Sequence, residues 1–139
     1  MDENPPASWI TFRDQVRACD GIIFVTPEYN RSIPGVLKNA IDIASRPYGK
    51  SAWTAKPAAV VSTSPGATGG FGSNQHLRQT FVFLDLFAMQ QPEMYIGHVD
   101  KYLNEKGEIN NDDTKKLLQK FMNTFADWVE TFHKSKATA

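Results

Sequence analysis

Two short apolar runs constrain the fold of this 139-residue chain more than any other feature. The first covers residues 21–25 (Gly-Ile-Ile-Phe-Val), and the second covers residues 57–62 (Pro-Ala-Ala-Val-Val-Ser). Continuous runs of this length are typical of strands buried on both faces of a parallel sheet. Each run is followed by a polar or glycine-rich stretch and then by a helical pattern. We therefore predict an α/β protein with helices covering a parallel sheet.

Helical spacing predicts four helices around these strands. The first covers residues 8–18, with Ser8 as its N-cap, and the second begins at Pro34 and runs to residue 44. The third covers residues 73–86. The last opens at Asp112 and Asp113 and has the clearest apolar face. The residues expected on the buried sides of the first, second and last helices are Trp9, Ile10, Phe12 and Val16; Val36, Leu37, Ala40, Ile41 and Ala44; and Leu117, Leu118, Phe121, Met122, Phe125, Trp128, Val129 and Phe132.

Residues 88–96 hold a third, weaker strand candidate. Pro92 interrupts it. Because proline has no amide hydrogen to donate to a neighbouring strand, Pro92 suits the start or the edge of a strand better than its centre.

Charge and cysteine content exclude several classes of function. Fifteen basic residues balance 15 acidic ones, so no broad positive field attracts nucleic acid or an anionic membrane. No apolar run reaches the roughly 18 residues that a membrane span needs. Cys19 is the only cysteine and has no partner for an internal disulfide. We expect one domain over residues 1–139, in the cytoplasm, with no nucleic-acid or membrane partner.

The loops after the first two strands are the candidate ligand site, because parallel sheets bind ligands beyond the carboxyl ends of their strands. Residues 26–31 (Thr-Pro-Glu-Tyr-Asn-Arg) offer an aromatic face, an amide and a cation, but an ordinary turn would use proline and asparagine too. Residues 62–72 contain four glycines that allow close backbone approach to a ligand, although a flexible surface loop is the alternative. This second loop matches no nucleotide-binding motif.

Other chemistry is disfavoured. His76, His98 and His133 have no carboxylate or cysteine at metal-ligand spacing, so we predict no metal site. The serines after the second strand, Ser62 and Ser64, lie outside any nucleophile-elbow sequence, which argues against covalent catalysis.

Residues 21–42 (GIIFVTPEYNRSIPGVLKNAID) closely resemble the signature of the NADPH-dependent FMN reductase family, which includes quinone, azo-dye and chromate reductases. The family's Lys-Pro before a strand, its Ser-x-Gly loop and its His-Leu-Arg-Gln sequence also occur here, at residues 56–57, 64–66 and 76–79. The resemblance runs from about Ser8 to the last helix. It implies a flavodoxin-like, three-layer fold with a parallel sheet and noncovalently bound FMN.

The same resemblance implies a function and a set of contacts. The flavin would take hydride from NADPH or NADH and pass electrons to a quinone, an azo compound, free flavin or a similar small acceptor, without a side-chain acid or base. The enzyme would be a homodimer or homotetramer. Residues 46–53 and the helix around Arg78 are the candidate contributors to the interface, although Tyr48 and Trp53 could equally pack within one subunit. The expected cofactor contacts, largely made by the backbone, are Pro27, Glu28, Tyr29, Asn30, Arg31, Ser64 and Gly66.

The comparison with the family also predicts a difference at the start of the chain. Family members begin with a strand, a phosphate loop, a helix and a second strand, and these are expected to be missing before Ser8. The strands present would then be strands 3, 4 and 5 of an N-terminally truncated sheet, with residues 21–25 as an open edge. Another chain would supply the missing piece, or copies would pair through this edge, or this sequence begins late. Losing two phosphate contacts would weaken FMN binding by about a hundredfold to ten-thousandfold. The alternative function is a non-catalytic flavodoxin-like module that serves assembly.

Overall fold

A computed structural model describes residues 3–137, and the side chains of residues 3–133. Its helices and strands alternate, as the sequence predicts for an α/β protein. In chain order they are α1 (Ala7–Ala18), β1 (Ile22–Pro27), α2 (Gly35–Ala44), β2 (Pro57–Thr63), α3 (Phe71–Leu84), β3 (Phe87–Ala88), β4 (Met94–Ile96), a short 3₁₀ helix (Val99–Tyr102) and α4 (Asp112–Ala137).

All strand pairs in the sheet are parallel. β1 pairs with one side of β2 along its whole length, from Ile22 opposite Ala58 to Pro27 opposite Thr63. β3 and β4 pair with the other side of β2, β3 near its beginning and β4 near its end. β3 and β4 therefore lie one after the other at the same position in the sheet. The sequence predicts a single interrupted strand at this position. Within the described residues, β1 forms one edge of the sheet.

Helices cover both faces of this sheet. On one face, α1, α2 and α3 pack on the strands through a core that includes Phe24, Ile41, Val60, Leu77 and Phe81. On the other face, α4 packs on the strands through a core that includes Ala59, Val61, Met94, Phe121 and Phe125. The result is the predicted three-layer arrangement.

The first helix differs from its prediction. It begins at Ala7 after Pro6, and no side chain caps it, so Ser8 is not the N-cap. Ile10 is 47% exposed, whereas Arg13 is buried and donates from Nε to the carbonyl oxygen of Ile43 at 2.9 Å. Val16 and Phe12 pack in the core as predicted, so the buried side of α1 differs from the prediction at Ile10 and Arg13. The stem of Arg13 packs inside while its guanidinium group finds partners there.

Several predicted core residues lie at the surface. Val25 on β1 and Val36 on α2 are 65% and 80% exposed, so β1 is not buried on both of its faces. α4 packs over β2 and contacts β1 around Ile23, which leaves the carboxyl end of β1 uncovered. Leu117 and Met122 of α4 are also exposed, because the buried stripe of this helix is narrower than its apolar pattern.

α3 begins at Phe71, two residues before its predicted start, and ends at Leu84. Gly70 and Asp85, which flank it, both adopt the left-handed conformation that ends helical geometry. In the described part of the chain, no helix has both the length and the apolar character needed to cross a membrane.

Candidate functional site

The pairing of β1 with β2 brings the two candidate loops to one edge of the sheet. Pro27 lies opposite Thr63, so Glu28 and Ser64 open neighbouring loops. Gly72, at the start of α3, touches the first loop. A Cβ atom on Gly72 would lie 2.9 Å from Oε2 of Glu28 and 3.1 Å from the carbonyl oxygen of Arg31. The seven predicted contact residues therefore all lie at this edge.

The first loop is a tight turn. Tyr29 and Ser32 exchange two backbone hydrogen bonds of 2.9 Å each. Asn30 and Arg31, between them, have φ values of 51° and 65°. This left-handed pair is the geometry of a type I′ turn, which is uncommon for arginine. The turn leaves the Tyr29 side chain exposed, and within the described residues the amides of Asn30 and Arg31 donate no hydrogen bond.

The Glu28 side chain points into the protein. It is 12% exposed, and its Oε1 accepts a hydrogen bond from Nη1 of Arg31 at 3.1 Å. Its Oε2 accepts a hydrogen bond from the backbone amide of Ser73 at 3.2 Å. Glu28 thus connects the first loop to α3.

Two of the four glycines in the second loop, Gly69 and Gly70, are required by their close packing and by their positive φ values. A Cβ atom on Gly69 would lie 2.6 Å from the backbone of Tyr95, and one on Gly70 would lie 3.0 Å from Cβ of Ser62. Gly72 meets Glu28, as described above. At Gly66 an added Cβ would meet only Oγ of Ser64, at the ordinary contact distance of 3.4 Å. Gly66 is therefore the one glycine of the four that faces open space.

Ser64 shapes the turn around Gly66. Its amide donates to the carbonyl oxygen of Ile96 at 3.0 Å, and its Oγ accepts from the amide of Gly66 at 3.0 Å. Among the described residues, no acceptor is found for the amides of Ala67 and Thr68. The second loop therefore presents free backbone donors beside an open glycine.

A group around Tyr95 was missed by sequence reasoning. The phenol of Tyr95 accepts a 2.6 Å hydrogen bond from Nε2 of Gln75, and its ring lies 5.4 Å from that of Phe71. Burial raises the pKa of Tyr95, and a hydrogen bond and charge from Glu93 add to the rise. Tyr95 lies on β4, a strand of only three residues, so no periodic pattern marked it.

The histidines are not arranged as metal ligands. Within the described residues, no group of three or more His, Cys, Asp or Glu side chains is placed to hold a metal ion. His76 instead shares a 2.7 Å hydrogen bond, through Nδ1, with Oγ of Ser32. His76 is thus a second link between the first loop and α3.

A polar cavity of about 140 Å³ lies at the opposite, amino-terminal ends of the strands, beside Pro57. Charged groups around it are already paired. Nζ of Lys56 donates to the carbonyl oxygens of Arg17 and Cys19, and Nε2 of His133 lies 3.3 Å from the Asp20 carboxylate. The free donors at the two loops make the carboxyl ends the stronger candidate.

Most of this chain is similar in sequence to known proteins. The profile of the family described as NADPH-dependent FMN reductase matches residues 1–101. A quinone reductase from Pseudomonas putida is 56% identical over 128 residues, which are 92% of this chain and 68% of that protein. A 2-hydroxy-1,4-benzoquinone reductase from a Burkholderia species is 48% identical over 92% of this chain and 70% of its own length.

A solved structure supports the same relationship. FerB from Paracoccus denitrificans, a flavoenzyme NAD(P)H:(acceptor) oxidoreductase, superposes with a TM-score of 0.86 at 39% identity. The match covers 93% of this chain and 71% of FerB, so the predicted flavodoxin-like fold is confirmed. Family profile, sequence identity and fold agree, and this chain belongs to the NADPH-dependent FMN reductase family.

Proposed function

We propose that this chain binds FMN at the two loops that follow β1 and β2, and that it transfers electrons from NADPH or NADH to a quinone. The observation that carries the proposal is the set of free backbone amides on both loops, at one edge of the sheet, in a chain of the FMN reductase family. When bound, FMN supplies the redox chemistry between nicotinamide and acceptor.

The loops fit the flavin ring system in shape and in hydrogen bonding. The isoalloxazine is flat, and along one edge its two carbonyl oxygens and two of its ring nitrogens accept hydrogen bonds. The amides of Asn30, Arg31, Ala67 and Thr68 are the corresponding donors. The open space at Gly66 leaves room for a ring to approach the backbone.

Four of the predicted contact residues have separate parts in this proposal. Tyr29 offers an exposed ring, and the Arg31 guanidinium, 81% exposed, is available to an anionic group of FMN or of the nicotinamide cofactor. Pro27 ends β1 and sets the direction of the turn, while Ser64 holds the turn at Gly66. These residues bind and orient the cofactor, and we assign none of them a proton-transfer role.

A quinone is the acceptor we favour over an azo compound or free flavin. Two relatives named above, at 56% and 48% identity, are quinone reductases.

We further propose that the protein is a homodimer joined through the outward face of α3. The exposed side chains Val82 and Phe83 are 86% and 81% exposed, and Tyr48 beside them is 77% exposed. Phe83 and Tyr48 line a common surface cleft of about 300 Å³. Trp53, in the adjoining segment, is buried and donates from Nε1 to the carbonyl oxygen of Ile41, so it belongs to the core.

A second copy is the partner that suits this face. A two-fold axis places residues near it against their own copies, so like charges there would repel. On this face α3 exposes Phe71, Gln75, Gln79, Val82 and Phe83, none of which carries a charge. A helix that is apolar on its outer side as well as on its inner side is typically covered on both.

The test of the FMN site is an absorbance titration of the purified chain with FMN, followed by anaerobic addition of NADPH. We expect a shifted flavin band on binding and bleaching of that band on reduction. Gly66→Val should abolish the shift without unfolding the protein, because its side chain fills the open space. Ala126→Val, which adds a similar group to the exposed surface of α4, is the control.

The absence of any band shift up to high micromolar FMN would refute the proposal. The non-catalytic module would then be the better explanation, and one observation already favours it as the second candidate. β1 is an edge strand in the described residues, with Val25 exposed, and such edges are suited to pairing with another chain.

A further inference from the structure

The start of α3 is capped from a distant segment. The first amides of a helix have no acceptor within it, and Gly70 at the N-cap position has no side chain to supply one. The Glu28 carboxylate, 45 residues earlier in the chain, accepts the Ser73 amide instead. A negative charge at this end of a helix is also favoured by the helix dipole.

The same contact holds one end of the Tyr29–Ser32 turn. Glu28 precedes the turn and is bonded to Ser73, while Ser32 closes the turn and is bonded to His76. Ser73 and His76 lie three residues apart on α3. The turn is thus attached to one helix at both of its ends, and α3 in turn follows the second loop directly.

The Arg31 guanidinium is the weaker partner of Glu28. It is 81% exposed, and exposed ion pairs contribute little because water and salt screen them. The Ser73 amide is part-buried and takes the other carboxylate oxygen. The hydrogen bond to Ser73 is therefore the contact on which the position of Glu28 depends.

We propose that Glu28 is a positioning residue for the cofactor site: by capping α3 it holds the first loop against the second, so that the free amides of both face one ligand. This inference rests on the proposed function only for the identity of that ligand as FMN. It assigns the Glu28 carboxylate an internal role in place of a direct flavin contact.

The experiment compares Glu28→Ala with Glu28→Gln. Glutamine keeps an oxygen that can accept the Ser73 amide, whereas alanine removes it. We expect Glu28→Ala to lower FMN affinity about tenfold to hundredfold and to speed hydrogen exchange at the start of α3 without FMN. In Glu28→Gln, the FMN affinity and the rate of hydrogen exchange at the start of α3 should both lie within about threefold of their values in the unmodified protein.

Two further variants complete the test. Asp14→Ala removes another carboxylate that pairs with an arginine three residues later, at 2.8 Å on α1, and should change neither readout. Gly72→Ala keeps Glu28 but places a methyl group 2.9 Å from its Oε2 and 3.1 Å from the carbonyl oxygen of Arg31, so it should displace both the carboxylate and the turn and reproduce the Glu28→Ala defect. The Gly72→Ala variant also tests the inference if Glu28→Ala fails to fold.

The outcomes separate this inference from the proposed function. If the unmodified protein binds no FMN, the proposed function fails, while exchange at Ser73 still decides whether Glu28 caps α3. Normal FMN affinity and normal exchange in both Glu28→Ala and Gly72→Ala would overturn the inference. An equal loss in Glu28→Gln and Glu28→Ala would also overturn it, because the capping hydrogen bond would then not be the cause.

Discussion

Asn74 and Ser62 form a fully buried hydrogen bond that joins α3 to β2. Nδ2 of Asn74 donates to Oγ of Ser62 at 3.1 Å, and both residues have no exposed surface. Nδ2 also lies 3.3 Å from the carbonyl oxygen of Met94, and Oγ of Ser62 donates to that of Gly69 at 2.8 Å. The pair therefore connects α3, β4 and the glycine-rich loop at one point beneath the candidate site.

Asn74→Ala is expected to destabilise the protein by about 2–4 kcal/mol, because several buried polar groups lose a partner at once. The half-buried Arg78 loses a partner as well, since its Nε donates to Oδ1 of Asn74 at 2.9 Å. Urea unfolding monitored by circular dichroism measures the change. Asn39→Ala, an exposed asparagine on α2, should shift stability by less than about 0.5 kcal/mol. Equal shifts for the two variants would contradict the structural role of Asn74.

The sequence predicts the strands and loops that form this site better than the buried contacts beneath it. The apolar runs at residues 21–25 and 57–62 predict parallel strands, and that alone places the two following loops side by side. The pairing of Asn74 with Ser62 depends on the rotation of α3 against the sheet, which no local pattern encodes. Both residues carry ordinary polar side chains, so nothing in the sequence marks them as buried.

For the glycine-rich loop, too, the sequence alone predicts less than the structure shows. Sequence reasoning treats its four glycines alike, as places where a ligand can approach. The structure separates Gly66, which faces open space, from the others, which are packed against Tyr95, Ser62 and Glu28. Two of those contacts, Gly69 with Tyr95 and Gly72 with Glu28, join segments far apart in the chain, so they become apparent only when the fold is known.

Gly69→Ala should therefore destabilise the protein by about 2–4 kcal/mol. Its φ of +58° disfavours any side chain, and the added methyl group would lie within 2.6–2.8 Å of backbone atoms in residues 95–97. Gly66→Ala, in the same loop, should remain within about 0.5 kcal/mol of the unmodified protein. Thermal unfolding of the pair provides the comparison, and a tolerant Gly69 would contradict the packing described here.

We expect the stability of the folded protein to depend on the ionisation of Tyr95 at alkaline pH. Burial, followed by the hydrogen bond and charge of Glu93, raises its pKa above the usual 10.0, so the folded state favours the neutral phenol. The resulting stabilisation is fully present below the unfolded pKa of about 10 and is lost as pH rises through the higher folded pKa. Stability curves of the unmodified protein and Tyr95→Phe should run parallel below about pH 9 and approach each other above it. Curves that stay parallel to pH 11, about one unit above the ordinary value, would exclude this linkage.

Phe83→Glu should convert the proposed homodimer to a monomer. The substitution places a carboxylate on the outward face of α3, close to the Tyr48 ring, where a partner copy would have to bury it. Because Phe83 is 81% exposed in the single chain, the fold itself should be little affected. Sedimentation velocity distinguishes the two species, and Leu117→Glu, at a half-exposed position on α4, is the control that should remain dimeric. Unmodified protein that sediments as a monomer, or Phe83→Glu that sediments as a dimer, would exclude this face as the interface.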